Sequence, residues 1–204
     1  MLDKIFRLNH DSFRIEGEGV IIYTDPYHLE GDLPKADLVL ISHDHYDHLS
    51  PEDLQKLAKD DTVYVGIAAC KAELDKLPGS VRIVKPGDEI EAKGVRIEAV
   101  PAYNTNKDFH PKDAGHVGYI FSVGGKRIYF AGDTDFIPEM KDFQADIALL
   151  PVSGTYVMTA EEAVEAAAAI GAGVSIPMHY GDIVGDENDA KTFAEKHPGK
   201  TLIK

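Results

Sequence analysis

The chain has one cysteine, Cys70, so no disulfide can form within it and nothing points to an oxidising compartment. Positive charge is scarce as well. Lys and Arg number 21 against 35 Asp and Glu, a formal net charge of −14, and the basic residues form no run. A protein that grips phosphates needs clustered cations to displace counterions, so nucleic acid is not an expected partner. An acidic membrane surface is disfavoured for the same reason. No stretch is long and apolar enough to span a bilayer. Met1 to Arg7 interleave charged and apolar side chains, without the apolar core or small-residue cleavage site of a signal peptide, so the cytoplasm is the expected location. Low-complexity linkers and tandem repeats are also missing. With 204 residues, 44% of them hydrophobic, the sequence suits one compact domain over residues 1–204.

Short strand-like runs, Lys4 to Leu8, Ser12 to Glu16 and Val20 to Thr24, are separated by turn-forming residues and read as an antiparallel meander. Asp37 to Ile41 is apolar without alternation, as in a strand covered on both faces. Helical spacing marks Pro51 to Ala58 and Ala68 to Leu77. Strand patterns return at Val81 to Val84, Val95 to Val100, Val117 to Val123 and Arg127 to Ala131, with Gly124-Gly125 turning between the last two. Ile147 to Leu150 follows as another buried strand. Thr159 to Glu162 spells a capping box before a helix that Gly171 and Gly173 stop. Val174 to Ile176, a helix near Glu187 to Lys196, and Leu202-Ile203 complete a mixed, layered α/β pattern.

Histidine is what the chain does have: nine, three of them at 43, 45 and 48 beside two aspartates. His43 and His45 stand two apart at a strand end and project from the same face. Asp47 and His48 follow as the chain turns toward Pro51. Imidazoles and carboxylates gathered after a buried strand suit zinc, with iron, manganese or nickel also compatible. A polar loop of surface histidines would be an unusual accident at this spacing.

The segment Ser42-His43-Asp44-His45-Tyr46-Asp47-His48-Leu49 resembles the HxHxDH signature of the metallo-β-lactamase superfamily, whose members are mostly hydrolases. Tyr129 to Thr134 is similar to the strand ending in that family's metal-bridging aspartate, and Pro177 to Tyr180 looks like its last histidine ligand. Thr24-Asp25-Pro26 resembles an early turn of the branch that includes ascorbate-6-phosphate lactonase-like proteins. The resemblance implies a four-layer αββα sandwich and two divalent metals, zinc first among them. It implies His43, His45 and a third histidine on one metal, Asp47, His48 and His179 on the other, and Asp133 between. Asp47 would also orient a hydroxide shared by the metals.

The sequence departs from the family at the third histidine, where Pro101-Ala102-Tyr103-Asn104 offers an amide instead. His110 and His116 are the candidates, and His110, on a loop between Phe109 and Pro111, is preferred. His10 lies on an early loop and suits substrate contact or simple turn chemistry equally. Asp25 suits an anchor for a ligand histidine or a backbone N–H. Ser153 to Thr155 read as a rim that touches substrate or caps the helix at Thr159. His28 and His197 read as surface residues, and Cys70 as packing.

By resemblance, then, the chain is expected to be a metal-dependent hydrolase that uses a metal-bound hydroxide on an ester, lactone or phosphoester of a small-molecule substrate. The contrasting expectation is a noncatalytic metal-binding or regulatory protein that retains the site, with Asn104 its one favourable feature. A short chain with little room for a cap also suits a homo-oligomer whose partner supplies binding walls.

Overall fold

The computed structural model describes all residues, Met1–Lys204. One sheet holds β1 (Ile5–Asn9), β2 (Ser12–Gly17), β3 (Val20–Thr24), β4 (Leu38–Leu40), β5 (Val63–Gly66) and β6 (Ser80–Ile83), in that spatial order. The first three strands pair antiparallel, and β3 to β6 pair parallel. The second sheet holds β7 (Glu89–Ala92), β8 (Val95–Pro101), β9 (Val117–Val123), β10 (Lys126–Phe130), β11 (Ile147–Pro151), β12 (Val174–Met178) and β13 (Lys200–Thr201). It repeats the plan, antiparallel from β7 to β10 and parallel from β10 to β13.

Parallel neighbours need crossovers, and helices supply most of them. α1 (Pro51–Leu57) and α2 (Lys71–Leu74) connect β4 to β5 and β5 to β6; α3 (Ala160–Ile170) and α4 (Glu187–Lys196) do the same for β11 to β13. Apolar faces of the two sheets meet in one cluster of 55 buried residues. Polar contacts also tie them: the Tyr119 hydroxyl donates to the Ile41 carbonyl at 2.7 Å and Val117 N to the Ser42 carbonyl at 3.1 Å. The result is the expected αββα sandwich.

Local chemistry accounts for many of the boundaries. In the hairpin after β9, Gly124 and Gly125 take φ of +59° and +68°, the paired positive values that a two-residue turn matched to strand twist requires. The Thr159 hydroxyl accepts from Glu162 N at 3.2 Å while the Glu162 carboxylate accepts from Thr159 N at 2.8 Å. Asp186 and Asp189 form the equivalent box at the start of α4. Residues 68–77 depart from the expected helix, with a 3-10 turn at Ala68–Cys70 and a single α turn at Lys71–Leu74. No side chain caps its start, and Pro78 follows closely. Two strands lie outside those expected from the pattern: β5, a short apolar run ending in Gly66, and β7, an edge strand of alternating Glu and apolar residues. The final strand falls on Lys200–Thr201 rather than on Leu202-Ile203.

The chain ends of the parallel strands point to one edge of the sandwich. Segments after β3, β4, β10, β11 and β12 gather there, as ligand-binding loops do in other sheets with parallel strands.

Thr159→Ala removes half of the box at α3 and is expected to cost about 1 kcal/mol in denaturant unfolding, leaving metal affinity unchanged. Burial pushes the Cys70 thiol up to about 12, so it stays neutral at pH 8. Ellman's reagent at that pH should label it only after unfolding; prompt labelling of folded protein would contradict the packing described.

Candidate metal centre

β4 is fully buried and delivers Ser42 and His43 to the sandwich edge. Beside it β3 ends at Asp25, whose φ is +35°. The Asp25 carboxylate accepts from Ser42 N at 2.8 Å, from the Ser42 hydroxyl at 2.5 Å and from His48 Nδ1 at 2.7 Å. The hydroxyl proton is thereby committed, so Ser42 Oγ accepts from His43 Nδ1 at 2.9 Å. Both imidazoles are held through Nδ1, which leaves Nε2 of each as the inward nitrogen. His43 Nε2 lies 3.0 Å from His45 Nδ1.

Asp133 arrives from the other sheet. Gly132 before it has φ +60°, and a Cβ there would stand 2.8 Å from the Ser42 Cβ, so only glycine lets β10 end this close to β4. Asp133 Oδ1 is 3.4 Å from His48 Nε2, and Oδ2 is 3.3 Å from both His110 Nε2 and His179 Nε2. His179 follows β12 at φ +59°, with its Nδ1 bonded to Ser153 Oγ at 2.9 Å. Asp47 Oδ2 lies 3.5 Å from His48 Nε2 and 3.6 Å from His10 Nε2.

Asn104, at the place of the missing family histidine, is tied to a loop. The Asn104 carbonyl oxygen accepts from His110 N at 3.0 Å, and the Asn104 amide donates to the Tyr156 carbonyl at 2.8 Å. Asn104 thus braces the segment that carries His110. His116 also comes in: donor nitrogens of His43, His110 and His116 lie within 4.8 Å of one another. A second such group is His10, Asp47, His48 and His179.

The electrostatics call for a cation. Asp11, Asp25 and Asp133 are buried at this edge, and burial alone would raise all three carboxyls. Asp11 is pushed up to about 6. Asp133 is instead held well below the usual range, because His179 and His48 outweigh burial. Burial would push the His48 imidazole down, but Asp133 and Asp25 hold it well above its ordinary value; for His179 the same contest is won by Asp133 and Asp11. By contrast, burial lowers His43 and His110, and takes His116 down to about 4, keeping them in the neutral form that ligates. His48 Nε2, His110 Nε2 and Asp133 Oδ1 are buried without hydrogen-bond partners. Metal–ligand bonds of 2.0–2.2 Å in a tetrahedron separate donors by about 3.3–3.6 Å, the range seen around Asp133 and Asp47. The donor set fits divalent metal.

A cleft of about 470 Å³ opens over this edge, lined by His45, Tyr46, Asp47, Phe109, Tyr156 and Ile183 among others. A larger cleft of about 740 Å³ beside Met1, Leu2 and Arg127 contains no histidine and one carboxylate, Asp146. Two expectations need correction. His197 is buried rather than on the surface, stacked on Phe193 at 5.1 Å with Nδ1 on Thr201 Oγ1 at 3.0 Å. Ser153 bonds His179, and the cap of α3 is Thr159 itself. Asp11 was not singled out from sequence; its only signal was adjacency to His10.

The sequence profile described as a beta-lactamase superfamily domain matches residues 4–179. The chain belongs to that superfamily. A UPF0173 metal-dependent hydrolase of Thermoplasma acidophilum is 34% identical over 190 residues, 87% of this chain and 83% of that one. Another, of Methanoculleus marisnigri, is 36% identical over 85% of this chain and 79% of its own length. The crystal structure of a protein of Parabacteroides distasonis, titled as a proposed metal-dependent hydrolase, superposes with a TM-score of 0.86 at 35% identity, covering 98% of this chain and 91% of that one. These relatives place the chain among the superfamily's metal-dependent hydrolases.

Asp25 touches no open space, yet it aims His48 and, through Ser42, His43. Asp25→Ala is expected to weaken metal binding by about 10–100-fold in calorimetric titration, the usual effect of removing such a partner. An unchanged affinity would show that the two imidazoles hold their direction without it.

Proposed function

We propose that the chain hydrolyses an ester, lactone or phosphoester bond of a small molecule at a dinuclear metal site. The supporting observation is the Asp133 carboxylate, whose Oδ2 lies 3.3 Å from Nε2 of both His110 and His179 and whose Oδ1 lies 3.4 Å from His48 Nε2. We assign His43, His45 and His110 to the first metal, Asp47, His48 and His179 to the second, and Asp133 to both. His110 is preferred to His116, whose Nδ1 is likewise unpartnered, because the unpartnered Nε2 of His110 lies 3.3 Å from Asp133. Held by these residues, such a metal pair would supply an acidified water and an electrophile for the bond to be cleaved.

The protein's own part follows from placement. Asp47 lines the cleft, and although burial alone would raise its carboxyl, the nearby imidazoles of His10 and His48, 3.6 and 3.5 Å away, hold it ionised. An ionised carboxylate there orients a water and accepts its proton. His45 and Asp133, also in the lining, place a polar centre at the floor, while Tyr46, Phe109 and Tyr156 give an aromatic rim. Phe109 and Tyr156 pack edge to face at 4.4 Å, a wall for an apolar part of the substrate. The net charge of −14 does not favour nucleic-acid substrates.

The test combines metal counting by plasma mass spectrometry with panels of chromogenic esters, lactones and phosphodiesters, after loading with zinc, manganese or nickel. Near two metals per chain should fall sharply in Asp133→Ala, and Asp47→Asn should cut kcat/KM by about 10²–10⁴-fold. Full occupancy with no turnover on any panel would favour the noncatalytic metal-binding alternative.

A further inference from the structure

His10 occupies the tip of the β1–β2 hairpin, where Asn9 pairs with Ser12 and only His10 and Asp11 lie between. Two-residue hairpin tips favour Asn, Asp and Gly, because positive φ is costly for larger side chains. His10 nevertheless takes φ +34° with its side chain fully buried. Its peptide is tied on every side: N donates to Asn9 Oδ1 at 2.9 Å, and its carbonyl accepts from Arg7 Nε at 3.1 Å and from His179 N at 3.3 Å. The ring is not. Neither nitrogen has a hydrogen-bond partner, although a buried imidazole carries polar groups that need one.

What the ring faces is the Asp47 side of the metal centre. His10 Nε2 lies 3.6 Å from Asp47 Oδ2, the ring stands 4.2 Å from that of His179, and its donor groups with those of Asp47, His48 and His179. The Asp47 separation matches the 3.5 Å between Asp47 and His48. A residue kept only to turn the chain gains nothing from an imidazole here. Packing alone does not account for it either, because an apolar ring would fill the space without two unsatisfied nitrogens.

We infer that His10 is a further ligand of the second metal, beside Asp47, His48, His179 and the Asp133 carboxylate; this rests on the dinuclear reading above. Three imidazoles and two carboxylates exceed the four donors of a tetrahedral zinc site and suit a metal that takes five or six ligands, such as manganese, iron or nickel. The backbone bond from His179 N to the His10 carbonyl couples two of these donors, so the hairpin tip and the end of β12 form one unit of the site.

The test is a titration of chelator-stripped protein with Mn(II), counting bound ion by electron paramagnetic resonance, on wild type, His10→Asn, His10→Gly and His48→Ala. Asn and Gly both tolerate positive φ and keep the hairpin. Both variants are expected to retain one site at wild-type affinity and to bind at the other at least tenfold more weakly, as His48→Ala also should. Denaturant unfolding of the stripped proteins should differ little between wild type and the His10 variants. If His48→Ala empties the second site while the His10 variants bind both ions within twofold of wild type, the inference is overturned and the dinuclear reading stands. If the stripped variants unfold much more easily while keeping affinity, His10 is a packing residue. A wild type that binds fewer than two ions would overturn both.

Discussion

Everything at the working edge depends on keeping the Asp133 carboxylate ionised inside the protein. A lone buried carboxylate would sooner take up a proton than remain charged. Here it is ringed by His48, His110 and His179, each with its Nε2 within 3.4 Å. The surrounding hydrogen bonds serve that ring. Asp25 turns His48, Ser153 turns His179, and the Tyr156 carbonyl lies 3.2 Å from Nδ1 of His110, so that in each case the outer nitrogen is engaged and the inner one faces the carboxylate. The neighbouring carboxylates hold His48 and His179 above their ordinary imidazole range, as expected where negative charge is gathered.

No single sheet could assemble this. The first contributes His10, Asp25 and the segment from His43 to His48; the second contributes His110, Asp133 and His179. Each sheet is a meander followed by parallel strands, and the two apply the same rule to place their loops at one edge. Gly132 packs against Ser42 with no room for a Cβ between them, which explains a glycine immediately before the carboxylate. The site therefore reports on the packing between sheets as much as on the loops themselves.

Much of this was legible in the sequence, for identifiable reasons. The segment from His43 to His48 is local, so spacing alone reveals it. Most strands announce themselves by apolar runs, and α3 by a capping box complete within four residues. What was hidden is non-local or lacks a local pattern. Asn104 looked like a lost ligand because its hydrogen bonds to residues six and fifty-two positions away are invisible in a string. Asp11 carries no pattern, and its burial arises only when β12 closes against the first hairpin. β5 and β7 are each four residues long, too short for a periodic pattern to stand out in a string. His197 sits near the chain end in a polar stretch, and only the fold shows it stacked on Phe193.

Backbone strain gathers where the chemistry does. Seven non-glycine residues have positive φ, and four of them, His10, Asp25, Tyr156 and His179, surround the centre. Conformations of this kind persist only when neighbouring structure holds them in place. That hold is visible at His10 and Asp25, through hydrogen bonds that fix the peptide or the carboxylate rather than the inward-facing atoms. Several inward atoms remain unpartnered: both nitrogens of His10, both oxygens of Asp11, and Nε2 of His48 and His110. The fold thus carries strain and unsatisfied polarity at one edge, balanced by a large apolar core elsewhere. A cation that binds only the folded chain would engage the inward Nε2 atoms among them and add stability that grows with its concentration relative to Kd. Folding supplies the arrangement, and the same unsatisfied atoms that weaken the fold are the ones positioned to bind.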